Sequence, residues 1–195
     1  MEKDGGECYM EFVEPIRDRK KIEGMKKLLR GSNLRDYALF TLGINSGLRV
    51  SDLLKLRVSD VLDEKGRVKD RITIREKKTG KTKTFPFSDT VIKALKEYFE
   101  ESHPETALFP SRKGGESITR QHAYRIINEA ARTVGIQDKI GTHTLRKTFG
   151  YHAYIAGVDV TRIQALLNHS SPKETLRYIG ITQDELDDVY LNLNL

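Results

Sequence analysis

The chain has 195 residues, which is enough for one domain with a substantial hydrophobic core. Its 34 Lys and Arg residues outnumber its 28 Asp and Glu residues, and the net charge of +6 favours an anionic partner such as nucleic acid. Cys8 is the only cysteine, so neither an intramolecular disulfide nor a cysteine-based zinc cluster can form. Because we find neither an apolar run that could cross a bilayer nor an apolar leader, we expect a cytoplasmic protein with no membrane partner.

Helical periodicity runs through most of the chain after a polar start. Residues 1–16 are mainly polar and charged, which predicts a flexible arm. Apolar residues at helical spacing, bounded by capping residues such as Asn33, Ser88 and Asp159, predict a series of helices. The predicted helices lie near residues 22–29, 34–46, 51–56, 88–99, 119–134, 144–156 and 160–167, with a short one opened by Ser171 and Pro172.

One short region alternates instead of following the helical period. Ile72 and Ile74, and then Phe85 and Phe87, have the alternation of two half-buried strands. Residues 77–81 between them form a lysine-rich glycine turn, so we expect a hairpin. The sequence therefore predicts a mainly α fold with a small antiparallel β-sheet (α+β). We expect one domain over residues 17–182 and a tail helix over residues 183–195.

The first candidate for chemistry is the run His143-Thr144-Leu145-Arg146 at the start of a predicted helix. Its histidine and arginine can lie on one face beside unpaired backbone N–H groups, which makes an anion site. Taken alone, the run is more typical of a capping histidine and an arginine paired with an acid than of an anion site.

Arg49 is the second candidate, because it follows Gly47 and Leu48 at a sharp break between two apolar helices. An arginine near a buried face is costly unless it meets an anion, and that anion is either a ligand or an acid such as Asp52. The third candidate is Lys78, which a hairpin could place in a cleft as a proton donor, although most lysine-rich turns are simply solvated.

His169 and Tyr178 complete the set, since His169 ends a predicted helix and Tyr178 follows nine residues later. Either residue alone would usually be a packing residue. All four patterns in this order are better explained by one shared site than by separate structural roles. Over residues 17–190 the sequence resembles the catalytic domain of the tyrosine recombinase (phage integrase) family, and the His-x-x-Arg run with the His-to-Tyr spacing is the most specific part.

The resemblance implies a site-specific DNA recombinase that cuts and rejoins duplex DNA through a 3′-phosphotyrosine intermediate. It implies that Arg49 and Arg146 hold the scissile phosphate and that Tyr178 attacks it. His143 and His169 would bind that phosphate or handle the tyrosine proton, and Lys78 would protonate the leaving 5′-oxygen. It also implies self-association on DNA, a possible accessory DNA-bending protein, and nucleoid association when the protein is bound to DNA.

The chemistry of phosphodiester cleavage requires these residue types independently of the resemblance. Two guanidinium groups can hold the charge that develops on the phosphate oxygens, so we expect neither a metal nor another cofactor. Tyrosine, with a reference pKa of about 10, is a poor nucleophile at neutral pH and needs nearby cations and a base. Leaving-group departure needs an acid such as lysine.

Three features depart from the family pattern. Asn168 stands where glycine usually precedes the histidine, but asparagine tolerates left-handed backbone, so His169 should still be aimed correctly. Lys147 follows Arg146 where histidine is common, and it could add a phosphate contact. Few residues precede Arg49, whereas family members usually have a further N-terminal DNA-clamping domain, so the chain is either a natural short form or a fragment.

Cations outside the catalytic set are candidates for contacts with the DNA backbone, and an ordinary surface role fits each of them as well. These candidates are Lys81, Arg120, Arg125 and Lys147. Three other functions stay open: a type IB topoisomerase that rejoins the same strand, a recombinase-derived regulator that binds DNA without cutting it, and a helical interaction protein in which the motifs occur by chance.

Overall fold

The protein is a helical domain in which one hairpin interrupts the helices. The structure, a computed structural model, describes residues 13–76, 80–112, 115–141, 143–181 and 191. Its helices are α1 (Arg19–Ser32), α2 (Leu34–Ser46), α3 (Val50–Leu53), α4 (Val58–Val61), α5 (Asp89–Glu101), α6 (Arg120–Thr133), α7 (Thr144–Ile155), α8 (Val160–Leu167) and α9 (Pro172–Ile179). The strands β1 (Arg71–Arg75) and β2 (Thr82–Pro86) lie between α4 and α5. The predicted fold class is confirmed.

The hairpin has one inward and one outward face. β1 and β2 pair antiparallel, with Ile72 opposite Phe85 and Ile74 opposite Lys83. Ile72 and Ile74 are buried, as their alternation predicts. Residues 77–79 of the turn, which include Lys78, lie outside the described residues.

Most helices begin where the sequence predicts, because their caps are local. The Asn33 side chain accepts from the backbone of Asp36 at the start of α2, and the Ser171 side chain does the same for Glu174 in α9. The helix predicted from Ser51 is much shorter than its leucines suggest. It stops at Leu53, and the Leu56 carbonyl accepts instead from Leu108, far along the chain.

The buried apolar residues of the described chain form two hydrophobic clusters. The larger one lies among α1, α2, α5 and α6 with β1, and the smaller one, formed by Tyr151, Ile163, Leu167 and Ile179, lies among α7, α8 and α9. Gly47 ends α2 in left-handed backbone with φ of 61°, and a Cβ there would lie 2.6 Å from the Phe149 ring. Glycine is therefore required where α2 turns toward α7.

The segment before α1 packs on the domain as far back as residue 13. Ile16 is buried, its N–H donates to Thr148 Oγ1, and the Glu14 N–H donates to the Lys139 carbonyl. Residues 13–16, predicted as part of the arm, thus lie against the folded unit. The predicted tail helix lies outside the described residues, apart from Leu191. Within the described ranges, no helix is long and apolar enough to span a membrane.

Candidate active site

Two arginines from distant parts of the sequence meet beside a buried carboxylate. Arg49, at the start of α3, donates from Nη1 to Glu76 Oε2 at 3.1 Å. The Arg146 Nη1 atom, from the first turn of α7, lies 3.9 Å from Glu76 Oε1. The Arg49 side chain is 18% exposed and that of Arg146 only 2%, so Arg49 is the more accessible member of this arginine pair.

Arg146 is held in place by backbone carbonyls as well as by charge. Its guanidinium donates to the Gly47 carbonyl at 2.6 Å and to the Leu167 carbonyl. These two carbonyls lie at the carboxyl ends of α2 and α8, where helix dipoles favour a cation. Arg146 therefore joins the loop that carries Arg49 to the helix end that precedes His169.

Tyr178, on α9, lies between the two predicted catalytic histidines. Its hydroxyl is 3.4 Å from His143 Nδ1, and its ring meets the His169 ring edge to face at a centroid distance of 4.7 Å. His169 Nδ1 lies 3.2 Å from the hydroxyl of Thr175, a buried residue of α9. Asn168 takes the left-handed conformation with φ of 49°, as the sequence analysis expected of this asparagine.

Burial and positive charge set the pKa values of this group. Burial raises the pKa of Tyr178 above its ordinary value, and the charges of Arg146 and Arg49 act in the opposite direction. Burial first, and then neighbouring cations, lower the pKa of both His143 and His169. Both effects favour the neutral form of the two histidines, and a neutral imidazole can accept a proton.

Lys83 is a cation that the sequence analysis did not single out. It lies on β2, and its ammonium donates to the carbonyls of Leu166 at 3.1 Å and Ser46 at 3.4 Å. These carbonyls are the neighbours of those that hold Arg146. Burial, with the repulsion of Arg146, lowers the pKa of Lys83 from 10.5 to about 8. Its inward position on a strand is the signal that could have revealed it.

Glu76 was also missed, although its position carried a similar signal. It continues the inward alternation of Ile72 and Ile74 by two more residues, and a charged residue at such a position needs a buried partner. Its Oε2 atom accepts from Asn168 Nδ2 at 2.9 Å as well as from Arg49. Glu76 therefore contacts both the arginine pair and the residue before His169.

The four candidate DNA-contact cations occupy different environments. Lys81, Arg120 and Arg125 are exposed, and the Arg120 charge is close enough to lower the pKa of His143. Lys147 is buried, donates to the Val13 carbonyl at 2.7 Å, and lies 5.4 Å from the Tyr178 ring centre. Among the described residues, no cluster of three or more His, Cys, Asp or Glu side chains could hold a metal ion.

The geometry thus brings together five of the six predicted catalytic residues, and Lys78 lies outside the described part.

A model of the phage integrase family matches residues 18–185. The chain belongs to the phage integrase family. Members similar to it include the probable integrase/recombinase YoeC of Bacillus subtilis strain 168, 44% identical over 181 residues that cover 93% of this chain and 97% of YoeC.

A second family member is the tyrosine recombinase XerA of Pyrococcus furiosus, which is 32% identical over 179 residues. That match covers 89% of this chain but only 60% of XerA. The names of these relatives confirm the predicted class of function, a recombinase of the tyrosine recombinase kind.

Solved structures of the family share this fold. The crystal structure of XerA recombinase matches 95% of this chain and 66% of its own with a TM-score of 0.74 and 23% identity. The catalytic domain of bacteriophage HP1 integrase matches 92% of this chain and 94% of its own with a TM-score of 0.63 and 22% identity. The fold predicted from the motifs is therefore that of an integrase catalytic domain.

Proposed function

We propose that this integrase family member cuts and rejoins duplex DNA at specific sites, with Tyr178 as the nucleophile. The observation that carries the proposal is the position of the Tyr178 hydroxyl, 3.4 Å from His143 and acted on by the charges of Arg146 and Arg49. Tyr178 thus has a proton acceptor in His143 and two arginine charges that favour its anion against the burial that raises its pKa, and these are the groups that activate an oxygen nucleophile.

In the proposed reaction the Tyr178 oxygen forms a bond to phosphorus as the bond from phosphorus to the 5′-oxygen breaks. The tyrosine proton passes to a histidine, and His143 is assigned this role because its Nδ1 lies 3.4 Å from the Tyr178 hydroxyl. Lys78 gives a proton to the departing 5′-oxygen. The products are a 3′-phosphotyrosine and a 5′-hydroxyl, and attack by the 5′-hydroxyl of another strand reverses the step and exchanges the strands.

The charge that develops on the phosphate is assigned to the arginine pair, Arg49 and Arg146. Each guanidinium has five N–H donors, so donors remain on both after the contacts to carbonyls and Glu76 are counted. Two fixed cations stabilise a developing oxyanion where other enzymes use a metal, and we propose that the reaction needs none.

Three exposed cations, Lys81, Arg120 and Arg125, are proposed to contact the DNA backbone. Arg120 has the strongest case, because its charge reaches His143 and it therefore lies at the rim of the site. Among structural neighbours, XerH has been solved bound to its palindromic difH substrate and the Tn1549 integrase with transposon end DNA, which supports duplex DNA as the partner.

We further propose that copies of the chain assemble on DNA through residues 183–193, with or without an accessory DNA-bending protein. In this segment acidic residues precede apolar ones at helical spacing, which is typical of a helix that docks in an apolar groove.

The decisive experiment is covalent capture on a nicked DNA duplex that traps the cleaved strand. The wild-type protein should form an adduct that survives denaturing electrophoresis, and Tyr178→Phe should form none while binding DNA nearly normally. Tyr124→Phe is the matched control, since Tyr124 is a partly exposed residue of α6. An adduct with Tyr178→Phe would refute the assignment. Plasmid relaxation without recombinant products would favour the topoisomerase alternative, and binding without an adduct would favour the regulator.

A further inference from the structure

A buried carboxylate lies at the centre of the cationic site, where the proposed reaction has no step for it. Glu76 is 1% exposed and follows the last residue of β1. Removing a carboxylate from water is costly unless charged and polar partners replace the water. The identity of those partners shows what this carboxylate does.

The partners of Glu76 come from three separate parts of the chain, and the proposed reaction needs these parts at fixed positions relative to one another. Oε2 accepts from Arg49 at 3.1 Å and from Asn168 Nδ2 at 2.9 Å, and Oε1 lies 3.9 Å from Arg146. Arg49 is the N-cap residue of α3, Arg146 lies in α7, and Asn168 is the C-cap residue of α8, directly before His169. One carboxylate thus connects the arginine pair to the backbone that aims His169.

The Glu76 side chain contacts the arginine pair, and the Glu76 backbone bonds to residues of the hairpin. Its N–H donates to the Lys81 carbonyl at 3.0 Å, and its carbonyl accepts from the Gly80 N–H at 2.9 Å. These two bonds join the described residues on either side of positions 77–79, and Lys78 is one of those positions. Glu76 therefore holds the base of the turn that carries the proposed proton donor as well as the arginine pair.

The charges around Glu76 explain why a carboxylate is needed before DNA is present. Arg146 and Arg49 both act to lower the pKa of Lys83, and Arg49 also acts to lower that of Arg146. Like charges repel, and Glu76 is the carboxylate anion within ion-pair distance of both arginines, while the charge of the buried Asp52 also acts to raise the pKa of Arg146 and of Lys83. A scissile phosphate can supply that anion only after DNA has bound.

We propose that Glu76 is a positioning residue that keeps the arginine pair assembled in the free protein and releases Arg49 to the scissile phosphate when DNA binds. Arg49 is the member released because it is the more exposed one and contacts Glu76 through a single nitrogen. The phosphate then approaches a site that already contains an anion. Glu76 thus weakens ground-state phosphate binding and in return keeps the site in its reactive arrangement.

This inference rests on the proposed function, and its test separates the two. The variant is Glu76→Gln, which keeps the size of the side chain and removes its charge. Glu97→Gln is the matched control, because Glu97 makes an exposed ion pair with Arg30 on the helical surface. DNA affinity and single-turnover cleavage at saturating DNA are measured for both, with folding checked by circular dichroism.

We expect Glu76→Gln to slow cleavage at least tenfold while binding DNA as tightly as the wild type or more tightly. A second substrate has a neutral methylphosphonate at the scissile position. The ratio of its Kd to that of the ordinary substrate should rise at least twofold in Glu76→Gln, because the repulsion of the phosphate charge is gone. Glu97→Gln should match the wild type in every measurement.

Equal wild-type and Glu76→Gln cleavage rates would overturn the inference, and so would parallel losses of binding and cleavage with an unchanged Kd ratio. If Glu76→Gln does not fold, the double variant Glu76→Gln with Asn168→Asp is tested. It exchanges the carboxylate and the amide of the hydrogen bond between these two residues and so restores the net charge. That pair should fold and recover at least a fifth of wild-type cleavage, and its failure would refute a role for the charge. Absence of an adduct with the wild-type protein would instead refute the proposed function, while the Kd ratio would still test Glu76.

Discussion

Arg49 and Arg146 share one proposed role in catalysis but should differ clearly in their contribution to stability. Replacing either with alanine removes a charge-assisted donor from the developing oxyanion, which costs about 2.7–4 kcal/mol of transition-state stabilisation. We therefore expect Arg49→Ala and Arg146→Ala each to slow single-turnover cleavage by a hundredfold or more.

The stability difference follows from what each side chain leaves behind. Loss of Arg49 removes one charged hydrogen bond, and Glu76 keeps its Asn168 donor. Loss of Arg146 leaves the Gly47 and Leu167 carbonyls without this donor at a site where the arginine is 2% exposed. A buried acceptor that loses its partner costs about 1–3 kcal/mol. We expect Arg146→Ala to lose about 2 kcal/mol more unfolding free energy than Arg49→Ala.

The measurement is urea unfolding of both variants, followed by cleavage at a temperature where each is folded. Arg132→Ala is a suitable control, because Arg132 also donates to a backbone carbonyl, that of Ile136, but at the end of α6. It should lose some stability and no cleavage. Equal stability losses for the two site arginines would refute the structural argument, and near-wild-type cleavage by either would refute its proposed role in phosphate binding.

Three further predictions concern the proton donor, pH and assembly. Lys78→Ala should lose cleavage and regain it on a substrate with sulfur in place of the 5′-bridging oxygen, while Lys77→Ala should cleave the ordinary substrate normally; rescue of neither lysine variant would remove Lys78 from the chemistry. Between pH 8 and 10.5 the folded protein has shed the Lys83 proton that the unfolded chain still holds, so this residue makes stability rise with pH in that window. Urea unfolding should show a smaller rise for Lys83→Met, and parallel pH curves would contradict the assignment. Deletion of residues 183–195 should abolish synapsis of two DNA sites in gel-shift and light-scattering assays and leave single-site binding intact; unfolding or unchanged synapsis would contradict the assembly proposal.

Local sequence signals predicted the start and end of most helices because a cap is made by neighbouring residues. The Asn33 and Asp159 side chains each accept from a backbone N–H within three residues, so residue type and position in the local sequence identify both caps. The same locality explains the left-handed Asn168, whose conformation depends on the residue type. The motif residues Arg49, His143, Arg146, His169 and Tyr178 could be named in advance, because their order and spacing together are specific.

Tertiary structure alone decided which charged groups are buried together. Glu76 is 27 residues from Arg49 and 92 from Asn168, and Arg146 is 99 from Gly47, so no local period reports these contacts. Lys147, predicted as a candidate for DNA contact, lies buried beside Tyr178 because the segment at Val13 passes over it. Hydrophobic periodicity shows which face of an element turns inward, but it cannot show which distant polar group meets that face. That pairing depends on how α2, α7, α8 and the hairpin pack, and it sets the burial and the pKa of each side chain in the site.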